Sequence, residues 1–130
     1  MSSEQHQEVQ YFTTELMKDF PFSEAVRVGN MLYLSGQIGI DNSIKLVPGG
    51  IRAETKKVLE NIKDTLERCG SSLDNVIKVT VMLADISEWE AMNDVYVEFF
   101  AKHKPARSSF GATGLAMKAR VEIECAAMLK

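Results

Sequence analysis

The chain has 130 residues with a formal net charge of −3, a mass of 14.5 kDa and an isoelectric point near 5.4. This length suits one domain with its own hydrophobic core and is short for two, and a composition that is 45% hydrophobic and 25% charged is typical of a folded globular protein. The acidic balance supplies no basic stripe for a phosphate backbone, which argues against nucleic acid as a partner.

Residues 1–20 form a polar N-terminal leader, and residues 21–130 form the expected domain. The leader lacks the apolar core of a signal peptide and the basic, acid-poor character of a transit peptide, and no apolar run of about 18 residues occurs along the chain. We therefore expect a cytoplasmic protein with no membrane partner. Cys69 and Cys125 have neither a CxxC spacing nor a neighbouring histidine cluster, so they are expected to be buried thiols and not metal ligands.

Residues 25–40 predict a β-hairpin. Gly29 and Asn30 tolerate the positive φ of a tight turn between the two strands. The second strand should have an aliphatic face, with Leu32, Leu34 and Ile38, and a mixed opposite face. Residues 41–50 are rich in turn formers and close this region.

Two amphipathic helices are predicted farther along the chain. Apolar side chains recur at helical spacing in residues 51–69, and Gly70 ends that helix. Ser87 and Glu90 have the spacing of a capping box for a second helix that ends near residues 103–105. The second helix carries an apolar stripe along one side, formed by Trp89, Met92, Tyr96, Phe99 and Phe100.

Alternation predicts a strand at residues 77–83, with Ile77, Val79, Val81 and Leu83 on one face, and further strands at residues 107–112 and 119–129. The resulting order is strand, strand, helix, strand, helix, strand, strand, which predicts a single α+β domain with both helices on one face of the sheet. The other face is too apolar for water and has no helix left to cover it, so we expect a homo-oligomer that buries it. The side chains predicted on this second sheet face are Met31, Tyr33, Gln37, Thr80, Met82 and Met128.

Few residues are candidates for chemistry. The chain has no GxGxxG, P-loop or HExxH motif, and His6 and His103 have no partner nearby in the sequence. Arg107 lies among small residues, and its planar guanidinium can hold a small carboxylate through two hydrogen bonds. Glu122 lies within a strand, where partial burial would raise its pKa toward that of a useful acid or base. A plain Arg–Glu ion pair is the alternative that these residues leave open.

Four short motifs, taken in this order, resemble the RidA family, the YjgF-type deaminases of reactive enamine and imine intermediates. They are SGQ at residues 35–37, AMN at 91–93, PARS at 105–108 and VEIE at 121–124. The resemblance covers the chain from about Pro21 to the C-terminus. It implies a chorismate-mutase-like fold with a mixed sheet, assembled as a homotrimer with sites between subunits. It also implies hydrolysis of 2-imino acids, such as 2-iminopropanoate and 2-iminobutanoate, to 2-oxo acids and ammonia without a metal or cofactor.

The same resemblance assigns roles to individual residues. Arg107 matches the arginine that binds the substrate carboxylate, and Glu122 matches the glutamate that positions or activates water. Ser35, Gly36 and Asn93 match positions that line the pocket.

Two pocket positions depart from the family pattern. Phe22 stands where a tyrosine is common, and Ser109 stands where a cysteine is common. These changes leave the arginine intact but affect substrate preference and activity. The alternatives are therefore a noncatalytic trimer that binds small acids or acts like a chaperone, and an RNA-cleaving translation inhibitor, which the acidic charge disfavours.

Overall fold

The structure is a computed structural model that describes residues 8–130, so His6 lies outside the described residues. Its strands are β1 (Val9–Phe12), β2 (Ala25–Val28), β3 (Met31–Gln37), β4 (Val76–Leu83), β5 (Ala106–Gly111) and β6 (Val121–Met128). The helices are α1 (Gly50–Arg68) and α2 (Trp89–Phe99). Single 3₁₀ turns occur at Leu73–Asn75, Ile86–Glu88 and Ala116–Lys118.

The strands form one sheet in the order β1-β2-β3-β6-β4-β5. β4 and β5 are parallel, and every other pair of neighbours is antiparallel. The sheet is therefore mixed, and both helices pack on one of its faces. This confirms the predicted α+β class and the predicted helix arrangement.

The hydrophobic core lies between the sheet and the helices. Leu32 and Leu34 are buried while Tyr33 between them is half exposed, as the alternation of the hairpin predicts. In α1 the apolar stripe is buried at positions three or four residues apart, which gives this helix its packing face. Its members are Ile51, Val58, Leu59, Ile62 and Leu66. Among residues 8–130, no helix lies over the second sheet face, where Tyr33 and Met128 expose 50% and 41% of their surface.

Strand β1 is absent from the sequence-based prediction. It lies within residues 1–20 and pairs with β2, from Val9 opposite Val28 to Phe12 opposite Ala25. Three of its four residues are exposed, so no alternation distinguishes it from a polar segment. Phe12 packs against the core, and this contact attaches the strand.

Three local predictions were wrong. Gln37 lies on the helix-covered face and not on the uncovered one, because a register shift between Leu34 and Gln37 pairs it with buried Ile123, and its Nε2 donates a 3.0 Å hydrogen bond to Thr65 Oγ1 of α1. Ile77 is 45% exposed because the register between β4 and β6 shifts between Val76 and Lys78, which turns Val76 inward instead. The capping box of Ser87 and Glu90 does not form. Asp85 Oδ1 accepts hydrogen bonds from the backbone and the hydroxyl of Ser87, at 2.9 and 2.7 Å, and so caps the preceding 3₁₀ turn.

Candidate active site

Arg107 lies on β5, at the edge of the sheet beside the start of α2. Its register partner is Val79, which is fully buried under the helices, so Arg107 is on the helix-covered face. The side chain is half-buried, and its Nη1 donates a 2.7 Å hydrogen bond to Asn93 Oδ1. The structure thus brings together Arg107 and Asn93, two of the residues that the sequence assigns to the pocket.

Two aromatic rings flank the Arg107 guanidinium. Its Cζ lies 4.7 Å from the ring centroid of Tyr96 and 5.8 Å from that of Trp89. The Trp89 Nε1 donates a 2.8 Å hydrogen bond to Ser109 Oγ, which holds the indole against β5. Stacked rings restrict a guanidinium to its plane while its N–H edge stays available for a carboxylate.

The aromatic contribution to this site was not predicted from the sequence. Trp89 was assigned to an apolar stripe, but it is 40% exposed, and its position is explained by its contacts with Arg107 and Ser109. Tyr96 is buried, and its hydroxyl has no hydrogen-bond partner among residues 8–130. Burial raises the pKa of Tyr96, and the positive charge of Arg107 partly opposes that rise. The spacing of residues 89, 93 and 96 on one helix face was the available signal.

Glu122 lies on β6, and its carboxylate lies close to Gly36 of β3. A Cβ added at Gly36 would fall 2.2 Å from Glu122 Oε2, so only glycine leaves room for the carboxylate in this position. Burial raises the pKa of Glu122, and the charge of Glu124 raises it further. A half-buried carboxyl with a raised pKa is a stronger base than an ordinary glutamate and is suited to exchanging a proton with water.

Ser35 and Phe22 belong to the segment beside Gly36. Ser35 Oγ donates a 2.6 Å hydrogen bond to the carbonyl of Ser23, and Ser35 N donates to the carbonyl of Glu24 at 3.1 Å. Phe22 is 46% exposed and stacks on Phe20, with ring centroids 5.6 Å apart. The structure therefore places the segment before β2, the end of β3 and the start of β6 near one another.

Within one chain these residues form two separate half-sites. The first, called the arginine half-site, contains Asn93, Arg107 and Ser109, and the second, called the glutamate half-site, contains Phe22, Ser35, Gly36 and Glu122. Glu122 is in register with Met82 on the uncovered sheet face, whereas Arg107 and Ser109 are on the covered face. Strand spacing and rise place the Cα atoms of Arg107 and Glu122 about 14 Å apart. The two do not form the ion pair that the sequence left open.

Within residues 8–130, no group of three or more His, Cys, Asp or Glu side chains is placed to hold a metal ion. Over the same residues, no helix is both long and apolar enough to cross a bilayer.

Known proteins resemble this chain in both sequence and fold. The family model described as endoribonuclease L-PSP matches residues 13–129. A goat protein named 2-iminobutanoate/2-iminopropanoate deaminase is 45% identical over 109 residues, which cover 83% of this chain and 80% of the goat protein. The crystal structure of yeast Mmf1 matches with a TM-score of 0.89 at 36% identity, covering 95% of this chain and 100% of that one.

The solved structure of a bacterial protein is also similar in fold and sequence. The crystal structure of RidA from Psychrobacter sp. PAMC 21119 matches with a TM-score of 0.86 at 35% identity, over 92% of this chain and 99% of that one. Since the family model spans most of the chain and a solved RidA shares its fold at this identity, the chain belongs to the RidA family, also known by the names YjgF and endoribonuclease L-PSP.

Proposed function

We propose that this protein hydrolyses 2-imino acids, or the enamines in equilibrium with them, to 2-oxo acids and ammonia. The observation that carries the proposal is the pair of half-sites: a guanidinium held between aromatic rings, and a half-buried carboxyl whose pKa is raised. Relatives that are 40–45% identical over 109 residues are named 2-iminobutanoate/2-iminopropanoate deaminase. That name supports the same chemistry here.

The proposed reaction needs little beyond orientation and charge. Arg107 holds the substrate carboxylate through its free N–H edge while Asn93 fixes the other side of the guanidinium. Water attacks the carbon of the protonated imine: its oxygen bonds to that carbon, Glu122 accepts one of its protons, and the C=N π electrons pass to nitrogen to give an amine. Glu122 returns this proton to the amine and then accepts the remaining hydroxyl proton as the C–N bond breaks, so ammonia leaves with the bonding electrons, takes up that proton from Glu122, and the 2-oxo acid forms.

We propose further that the active assembly is a homotrimer with each site between two subunits. The arginine half-site of one subunit would face the glutamate half-site of the next. Two observations support this arrangement: the half-sites are on opposite faces of one chain, and the uncovered sheet face exposes apolar side chains such as Met128. The proposed location is the cytoplasm, where thiols such as the buried free Cys69 and Cys125 remain reduced.

A complementation experiment tests the activity and the shared site together. A threonine dehydratase or an amino-acid oxidase supplies the imine, and its decay is followed with wild-type protein and without it. Arg107→Ala and Glu122→Gln should each be nearly inactive. When equal amounts are unfolded and refolded together, one site in four combines an intact arginine with an intact glutamate, so about a quarter of wild-type activity should return.

Each outcome has a definite meaning. If wild-type protein leaves the imine decay at the rate of the protein-free control, the deaminase proposal is wrong, and binding of 2-oxobutanoate without turnover would indicate a noncatalytic binding protein. If wild type is active but the refolded mixture is not, each site lies within one subunit. Light scattering that gives a monomer at micromolar concentration would exclude the trimer.

A further inference from the structure

A partly buried cluster of charged and polar groups lies behind the glutamate half-site, with Glu24 and Thr65 buried and the Arg68 side chain 39% exposed. Glu24, at the start of β2, is 8% exposed, and its Oε1 accepts hydrogen bonds from Arg68 Nη2 and from Thr65 Oγ1, the latter at 2.5 Å. Thr65 Oγ1 also accepts a 3.0 Å hydrogen bond from Gln37 Nε2. Asp64 accepts from Arg68 Nε at 2.9 Å and fixes the guanidinium from outside.

Charged side chains such as Glu24 are unusual at positions whose only role is to pack the core. Glu24 Oε2 is buried and has no hydrogen-bond partner within residues 8–130. A buried carboxylate is costly unless it is paired, and an apolar pair of similar volume is often as stable. An ion pair in this position therefore contributes more to fixing geometry than to the free energy of folding.

The cluster joins α1 to both segments that carry the glutamate half-site. Glu24 follows Phe22 by two residues, and Ser35 is hydrogen-bonded to the carbonyls of Ser23 and Glu24. Gln37 directly follows Gly36, the residue whose missing Cβ makes room for the Glu122 carboxylate. The last two turns of α1 thus hold β2 and β3 at a fixed spacing.

We propose that the ion pair of Glu24 and Arg68 is a positioning device for Ser35, Gly36 and, through them, the Glu122 carboxylate. Neither member touches the substrate. The inference rests on the proposed function, since it concerns the half-site that handles water. It predicts that disturbing the pair affects turnover and leaves binding of the carboxylate at Arg107 unchanged, because Arg107 is on β5, at the far edge of the sheet from β2.

The test compares two ion pairs of α1. Arg68→Met breaks the ion pair with buried Glu24. Arg52→Met serves as the matched control, because it breaks an exposed ion pair, in which Arg52 Nη2 lies 2.8 Å from Asp94 Oδ2. Arg68→Lys keeps the charge. Glu24→Gln keeps the shape of the buried side chain and removes its charge, which covers the case that Arg68→Met fails to fold.

Three quantities are measured for each variant: kcat for the imine, Kd for 2-oxobutanoate, and amide hydrogen exchange at Ser35 and Gly36. Arg68→Met should lower kcat by about tenfold or more, as expected for a displaced catalytic group, with Kd changed by less than about twofold. Exchange at Ser35 and Gly36 should be about tenfold faster, while exchange in β4 and β6 is unchanged. Arg68→Lys should restore most of kcat, and Glu24→Gln combined with Arg68→Met should lose less than Arg68→Met alone.

Two results would overturn the proposal. One is an Arg68→Met variant that matches Arg52→Met in kcat and in exchange. The other is a loss of kcat that accompanies faster exchange throughout the sheet, which would show a general effect on stability. If wild-type protein does not hydrolyse the imine, the proposed function fails by itself, and the exchange at Ser35 and Gly36 still decides whether the ion pair positions this segment.

Discussion

Replacing Gly36 by alanine should separate the position of the Glu122 carboxylate from the stability of the fold. The added Cβ would lie 2.2 Å from Glu122 Oε2, and ordinary van der Waals contact begins at 3.4 Å, so the carboxylate must move by about 1.2 Å. Gly36 does not have a positive φ, so the backbone accepts alanine without strain. The clash is with the end of a side chain, and the free energy of unfolding should therefore fall by only about 1 kcal/mol.

The effect on catalysis should be much larger. A misplacement of about 1 Å can cost about 100-fold in rate, or about 2.7 kcal/mol of activation free energy. We therefore expect kcat for imine hydrolysis to fall by about 10- to 100-fold in Gly36→Ala. Because Arg107 is unaffected, Kd for 2-oxobutanoate should remain within about twofold of wild type.

The assay follows imine decay with the enzyme-coupled supply, alongside thermal unfolding of each variant. Gly114→Ala is the matched control, since a Cβ there meets no atom within 4 Å and Gly114 also lacks a positive φ. A folded Gly36→Ala protein with wild-type kcat would refute the reasoning, because it would show that turnover does not depend on the Glu122 carboxylate in the observed position.

Four other variants test the two half-sites. Arg107→Lys keeps the charge but loses the planar fork and the stacking on Tyr96, so KM in the imine assay should rise by about tenfold or more; an unchanged KM would contradict a bidentate contact. Tyr96→Phe removes a buried hydroxyl that accepts and donates no hydrogen bond within the described part of the chain, so chemical denaturation should show an unfolding free energy within about 0.5 kcal/mol of wild type or above it. Glu124→Gln removes a charge that raises the pKa of Glu122, so the acid limb of the pH–kcat profile should move to lower pH. The raised pKa of Glu122 also lends stability that is present below about pH 4.3, the ordinary glutamate pKa, and is lost as pH rises through the folded-state value. When denaturation is measured at several pH values, the free energy of unfolding should therefore fall with rising pH in wild type by more than it does in Glu122→Gln.

Local patterns in the sequence predicted most of the fold because most of the elements are amphipathic. The alternation of Leu32 and Leu34 with Tyr33 and the helical spacing in residues 51–69 each report one buried face, and the structure buries those faces. The errors arise where long-range pairing decides the structure. The register shift beside Val76 turns Ile77 outward, and β1 is a strand because β2 offers it an edge.

The site was less predictable for the same reason. Arg107 and Glu122 could be singled out by residue type and motif, but their faces of the sheet depend on register. The Trp89 contact with Ser109 and the cluster around Glu24 join residues 20 and 44 positions apart, and neither has a local pattern. Such contacts require the assembled sheet.

The two departures from the family pattern now have different physical consequences. Ser109 has a partner of its own, since its hydroxyl accepts a hydrogen bond from the indole that flanks Arg107, and so it contributes to the arginine half-site by holding Trp89. Phe22 has an apolar partner in Phe20 and stays 46% exposed beside the glutamate half-site. A phenylalanine there cannot donate a hydrogen bond to water or substrate. In the proposed mechanism, proton handling in this half-site therefore falls to Glu122, and we expect the position of its carboxylate to depend on Gly36 and on the strand spacing around it.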